Sequence, residues 1–429
     1  MISNTLRFLS PRYISAITTQ FPTPIYVYSE EILRAQAQII CDFSHAFGFT
    51  PRYAMKANSN RTLLRIFRDM GICIDASSEY EVFRALIAGF APNEIQLTGQ
   101  EIPNRLEEIV KMGVEFNATS LHQLESYWSL FPHTNASIRV NPGIGSWWTN
   151  RTNVGGPASS FGIWYEYLDM AKKISEKYHL TITKLHTHIG SWSDPEVWKK
   201  VVIMVLDIVR NIPDVTIVSL GGGFKVARMP DEKEADMREI GHHVQSLFEQ
   251  FFTETGRKLH LEIEPGTFLV ANAGNLLTTI QDIVDTGNDG YTFLKVDAGM
   301  TELLRPSIYG AQHPIIVVPS WFQEAEEMNY ENETWEYIVV GHNCESGDIF
   351  TPGPGEPETL SPRKLIKANI GDHLIIEGTG AYGASMSTHG YNSFPEAGEV
   401  LIRKDGSIVE IRSRANETDI WRNEKDIPI

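Results

Sequence analysis

Arg52-Tyr53-Ala54-Met55-Lys56-Ala57-Asn58 reads as a short strand that delivers one lysine at its C-terminal end, a placement suited to amine chemistry. Most lysines that end a strand are solvated surface charges, so the meaning of this one depends on its company. Four further clusters close runs of apolar residues with polar groups or bare glycines: His186-Thr187-His188-Ile189-Gly190-Ser191, Gly221-Gly222-Gly223, Glu264-Pro265-Gly266, and Cys344-Glu345-Ser346-Gly347-Asp348. Together the five read as one site.

Outward from Lys56, strands and helices alternate. Eight strands are expected before residue 270: Arg52 to Ala57, Ile72 to Ser78, Ile95 to Gly99, Glu115 to Ser120, Ser137 to Pro142, Lys184 to Ser191, Thr216 to Gly223 and His260 to Gly266. Helical stretches such as Glu30 to Phe43, Arg61 to Met70, Glu79 to Gly89 and Pro195 to Asn211 fall between them. This is the rhythm of an α/β (β/α)8 TIM barrel, whose reacting groups gather where the strands end; a doubly wound open sheet has a comparable rhythm. From about residue 290 short strands follow one another without long helices (Phe293 to Asp297, Ile315 to Val318, Trp335 to Gly341, His373 to Glu377, Val400 to Arg403), which reads as an all-β second domain. The expected organisation is therefore a barrel over 29–280, a β-domain over 281–429, and an N-terminal segment, 1–28, that packs with the β-domain.

Composition narrows the partners. A net charge of −17 over 429 residues argues against nucleic acid or an anionic membrane surface, which both call for a basic face. Three cysteines, Cys41, Cys73 and Cys344, without C-x-x-C spacing offer neither a disulfide framework nor a thiolate zinc site, and a reducing, cytoplasmic setting fits. The apolar run Val201 to Leu206 is far too short to span a bilayer.

Glycines at a strand end let backbone N–H groups approach an anion, so Gly221-Gly222-Gly223 suits a phosphate, with the Ser191 hydroxyl as an added donor; three glycines also make an ordinary tight loop. Alternation sends Glu262 and Glu264 to one face, where a carboxylate can hold a protonated heterocyclic nitrogen or merely pair with a lysine. His186 and His188 share a face as well, but further ligands at readable spacing are missing, so stacking or hydrogen bonding is preferred and no metal is assigned. A lysine, a phosphate cradle, a flat aromatic partner and a glutamate opposite a ring nitrogen match the needs of pyridoxal 5′-phosphate.

At this point the chain resembles a known family. Tyr53 to Asn58, Ile74-Asp75-Ala76-Ser77-Ser78-Glu79, Arg139-Val140-Asn141-Pro142-Gly143, His186 to Ser191, Val296-Asp297-Ala298-Gly299-Met300, Leu304-Arg305-Pro306 with Tyr309, Cys344 to Asp348, Gly380 to Met386 and Tyr391-Asn392 occur in order. They are similar to the motifs of the alanine-racemase-fold decarboxylases that use pyridoxal phosphate, and within these to the diaminopimelate decarboxylases. The resemblance implies that Lys56 bears the cofactor, His188 stacks on its ring, and Glu264 faces the pyridine nitrogen. It further implies that Ser191, Gly221, Gly222, Gly223, Gly266 and Tyr382 hold the phosphate. Cys344 would act from the neighbouring subunit of a homodimer as the acid that reprotonates Cα, while Arg305, Tyr309, Glu345 and Tyr382 bind substrate. Gly145 to Trp164, with Ser146-Trp147-Trp148 and Asn153 to Gly156, corresponds to the family's specificity segment.

One departure bears on substrate. Glu264-Pro265-Gly266-Thr267 stands where the family usually reads Glu-Pro-Gly-Arg, so a cation that assists anionic groups is absent, although Arg305 and Arg151 remain. The expected reaction is decarboxylation of meso-diaminopimelate to L-lysine. Alternatives are the same chemistry on ornithine, arginine or a D-amino acid, or a decarboxylase-like regulator without catalysis, against which the retained Lys56, Glu264 and Cys344 argue.

Overall fold

The computed structural model describes residues 6–145, 154–320 and 333–427. The chain divides into two compact units, one of Leu33–Ala227 with Lys233–Leu269, the other of Met1–Ile32 with Arg228–Glu232 and Val270–Ile429.

In the first unit eight parallel strands run Phe49–Ala54, Cys73–Ala76, Ile95–Leu97, Glu115–Ala118, Asn135–Asn141, Thr181–Thr187, Ile217–Ser219 and His260–Ile263. Each pairs with the next in that order, and the eighth returns to the first with Leu261 opposite Phe49. That return closes a barrel and excludes the open doubly wound sheet. Helices between the strands bury one face each. Pro195–Arg210, for instance, starts at an Asp194 cap and turns Trp198, Val201, Val202, Val205, Leu206 and Val209 inward.

Inside the ring, charged side chains replace part of the usual apolar filling. Arg52 grips Glu262 with two nitrogens at 3.0 and 2.9 Å and reaches Glu115 at 3.2 Å. Lys184 joins Glu262, Gln96 and, at 3.0 Å, Glu115. Two cations and two carboxylates thus neutralise one another, and removal of any one would leave a buried charge unpaired, typically at about 3–5 kcal/mol.

All eight barrel strands stop earlier than the sequence suggests, the first, sixth, seventh and eighth by three or four residues. The expected strand to Ala57 ends at Ala54 and gives way to a 3-10 turn, Met55–Ala57; the sixth ends at Thr187 and the seventh at Ser219. Gly190 (φ +91°) and Gly221 (φ +67°) take left-handed backbone conformations that no ladder accommodates. The polar clusters therefore occupy loops just beyond the strands.

The second unit is built on Gly274–Asp285, a twelve-residue strand. Its first half pairs antiparallel with Ile25–Ser29 and with His373–Ile376, its second half with Thr292–Val296 across a register shift between Ile280 and Asp282. Ile25–Ser29 pairs in parallel with Gly398–Ile402 on its other side. Helix Pro11–Gln20, capped by Ser10, sets Ile14 and Ile17 on a core of Ile25, Val27, Leu277, Ile316, Val318, Ile375, Val400 and Ile402. Strands Thr334–Val340, Arg363–Ile366 and Ile408–Arg412 extend the sheet at its two ends.

Candidate active site

The barrel's C-terminal mouth gathers the expected cofactor residues that belong to this unit. Lys56 is exposed on the 3-10 turn after the first strand, not on the strand itself. Gly266 seats that turn: a Cβ there would press on the Cβ of Ala54 at 3.2 Å and of Ala57 at 3.3 Å, and the Ala54 N–H donates to the Pro265 carbonyl at 3.3 Å.

The glycine run has no room for side chains. A Cβ on Gly221 would meet the Thr187 carbonyl oxygen at 2.5 Å, one on Gly222 would overlap the Glu264 carbonyl, and one on Gly223 the Gly190 carbonyl. The Trp192 N–H donates to the Gly223 carbonyl at 2.8 Å, which brings Ser191, exposed, beside the run. The His188 ring lies against it as well, 3.3 Å from where a Gly223 Cβ would stand. Bare backbone, a hydroxyl and an imidazole face thus converge.

Glu264 is the polar centre. Its carboxylate accepts from His186 Nε2 at 2.8 Å, Gln96 Nε2 at 2.9 Å and Ser219 Oγ at 3.0 Å. Burial alone would raise its pKa, but His186, Gln96 and Lys184 outweigh it and hold the carboxyl well below the usual range. Burial lowers His186, and lowers His188 much further with help from Arg139 and Lys56, so both rings are neutral donors or stacking faces. Asp75, which accepts from the same Gln96 amide at 3.0 Å, is pushed up to about 7 by burial and by the charge on Glu264. Arg139, buried, is brought down to about 10 by burial.

Other expected residues lie in the β-rich unit. Cys344 is exposed on a loop whose shape is set by Asp348, which accepts from the backbone of Met300 at 2.6 Å and of Asn343 at 2.8 Å. The Cys344 N–H donates to Asn392 Oδ1 at 2.8 Å, and the Tyr391 hydroxyl to Glu345 at 3.4 Å. A cavity of about 500 Å³ is lined here by Met300, Glu345, Thr388, His389, Gly390 and Tyr391. Arg305 opens the short helix Arg305–Tyr309, so Tyr309 lies one turn on. Tyr382 holds a left-handed backbone (φ +57°), a strain of about 1–3 kcal/mol for a bulky residue. Ser146-Trp147-Trp148, Arg151 and Asn153 lie outside the described residues.

Sequence reading left Asp75, Gln96, Arg139 and Ser219 without roles. Gln96 and Ser219 are single polar residues among apolar neighbours in very short strands, a pattern that marks an inward polar position only once the ring is closed.

These groups fit pyridoxal phosphate. The cradle is open to backbone donors and closed to any Cβ, an exposed lysine follows the first strand, and Glu264 is ionised with three of roughly four acceptor positions filled. The family model described as "Pyridoxal-dependent decarboxylase, pyridoxal binding domain" matches residues 31–271. Diaminopimelate decarboxylase of Escherichia coli (strain K12) is 34% identical, with 95% of this chain and 94% of that protein covered. The same enzyme of Buchnera aphidicola from Acyrthosiphon pisum is also 34% identical, with 99% of each covered. A crystal structure of diaminopimelate decarboxylase superposes with a TM-score of 0.89 at 33% identity, covering 98% of this chain and 97% of that one. The chain is thereby a pyridoxal-dependent decarboxylase, and it belongs to the diaminopimelate decarboxylase family.

Proposed function

We propose that the protein removes one carboxylate from meso-2,6-diaminopimelate to give L-lysine and CO2, as a cytoplasmic homodimer with pyridoxal phosphate bound at the barrel mouth. Lys56 would carry the cofactor, the backbone of Gly221, Gly222, Gly223 and Gly266 with Ser191 and Tyr382 would hold its phosphate, and His188 would cover its ring. When bound, the cofactor supplies an electron sink for the breaking bond between Cα and the carboxylate. Glu264, held ionised beside His186, would keep a ring nitrogen of the cofactor protonated and so the sink strong. Cys344 of the partner subunit would deliver a proton to Cα. Arg305, Tyr309 and Glu345 would take the distal carboxylate and amine.

The observation that carries this reading is the convergence at one barrel mouth of an ionised, triply bonded Glu264 with a glycine run that excludes side chains. Thr267, where the family usually has arginine, favours a second reading, a substrate without a distal carboxylate. CO2 release across meso-diaminopimelate, D-lysine, ornithine and arginine separates the two. Highest kcat/KM is expected on diaminopimelate; a higher value on any of the other three would sink the assignment.

A further inference from the structure

Within the β-rich unit, Arg228 and Arg305 are two cations whose side chains no carboxylate bonds among the described residues; the nearby Glu232 carboxylate spends one oxygen on the backbone N–H groups of Arg228 and Met229. Residues 228–232 belong to this unit although the chain on either side of them belongs to the barrel. The Arg228 backbone is clamped there: its N–H donates to Glu232 Oε2 at 2.8 Å, and its carbonyl accepts from Arg7 Nη2 at 3.2 Å. Its side chain crosses Gly378, where a Cβ would stand 3.1 Å from Cγ and 3.2 Å from Cδ, and its Nε donates to the Gly378 carbonyl at 3.0 Å. The guanidinium is thus fixed in place, but one of its ends has nothing to bond.

Two donor nitrogens in this neighbourhood, Arg228 Nη2 and Arg305 Nε, are shut off from solvent without a hydrogen-bond partner; His313 Nε2, an acceptor because the ring's Nδ1–H donates elsewhere, is unpartnered as well. His313 is itself buried, its other ring nitrogen 2.9 Å from the Glu377 carbonyl. Neither guanidinium forms an ion pair among the described residues. Burial, and for Arg228 also the charge of Arg305, brings both below the ordinary arginine range, Arg228 to about 9. The Glu232 carboxylate and Tyr382 lie near enough to bear on both charges, and Tyr309 on that of Arg305. Two like charges held together with unfilled donors are unfavourable unless an anion completes them, and a carboxylate is the planar partner that guanidinium forks match.

We infer that Arg228 and Arg305 together form an anion subsite that takes the distal carboxylate of the substrate, with Arg228 supplying the cation that this chain lacks at Thr267. The inference rests on the dicarboxylate reading above and deepens it. It assigns Arg228 as a specificity-determining residue and explains how a Thr267 chain keeps a substrate anionic at both ends.

The test uses full-length holoenzyme and two variants, Arg228→Gln and Arg228→Lys, each checked for native near-UV circular dichroism. Loss of a cation that faces a buried carboxylate should lower kcat/KM on meso-diaminopimelate by at least about 30-fold in Arg228→Gln, and leave D-lysine, which lacks the distal carboxylate, within about threefold. Binding of pimelate, a dicarboxylate of the same chain length without amines, should weaken in parallel in calorimetry. Arg228→Lys should recover part of both losses. Equal losses on both substrates, or a weakened cofactor affinity in Arg228→Gln, would overturn the assignment in favour of a structural or phosphate-holding role. If Arg228→Gln does not fold, the milder Arg228→Lys decides: an unchanged ratio between the two substrates sinks the proposal. If the wild-type protein prefers ornithine or arginine, the dicarboxylate reading fails by itself; pimelate binding that still depends on Arg228 would then uphold the anion subsite, and binding that does not would end it.

Discussion

Asp75 and Glu264 share one glutamine amide, yet their environments drive them apart. Glu264, with three donors, stays ionised, while Asp75, pushed up to about 7 by burial and by Glu264, keeps its proton. An unfolded aspartate titrates near about 3.9, so between about pH 4 and pH 7 the folded chain binds the extra proton and loses stability as pH rises. Asp75→Asn removes that loss. The unfolding midpoint of the variant relative to wild type should therefore gain several degrees between about pH 4.5 and pH 8; a difference that does not change with pH would mean that Asp75 is not the titrating group. At this scale the sequence was legible where chemistry is rare. One lysine after a strand, a glutamate before Pro-Gly and a triple glycine stand out. Asp75, Gln96 and Arg228 do not, because a polar residue shows its role only through neighbours distant in the chain.

Among the elements, the seventh strand and its glycine loop are the most exacting. Gly223, with φ +100°, combines a left-handed backbone with direct overlap of any Cβ on the Gly190 carbonyl. Gly223→Ala should therefore displace the loop and weaken cofactor binding at least tenfold in an absorbance titration, roughly the effect of losing one charge-assisted hydrogen bond. Gly256→Ala is the control: it has φ +71° but open space around it, so it should cost some stability and leave the titration unmoved. Equal effects from the two would remove the cradle argument. Helices were legible to within a residue or two, as with Arg61–Asp69 and Pro195–Arg210, because each shows one buried stripe. The long strand Gly274–Asp285 escaped notice. Its first half is buried on both faces, with Asn275 and Thr278 among the buried residues, so it has neither alternation nor a purely apolar run.

For the whole molecule, the barrel was legible as eight recurrences of one rhythm and the N-terminal segment was expected with the β-domain, where Ile25–Ser29 indeed pairs; which strands it pairs with, Gly274–Asp285 and Gly398–Ile402, no local pattern announces. The proposed sharing of sites makes an assembly-level prediction. Co-expression of Lys56→Ala with Cys344→Ala should restore up to about a quarter of wild-type activity, since half of randomly mixed dimers are hybrids and each hybrid has one intact site of two. A mixture as inactive as either variant alone would place both residues of a site in one chain. The seat of Ile25–Ser29 between Gly274–Asp285 and Gly398–Ile402 also orders events on the ribosome. The barrel strands emerge in sequence and can close on themselves, but the earliest strand must wait for partners made some 250 and 370 residues later. A nascent chain halted before residue 398 would still lack one neighbour of Ile25–Ser29, so the β-rich unit cannot finish until Gly398–Ile402 has been made.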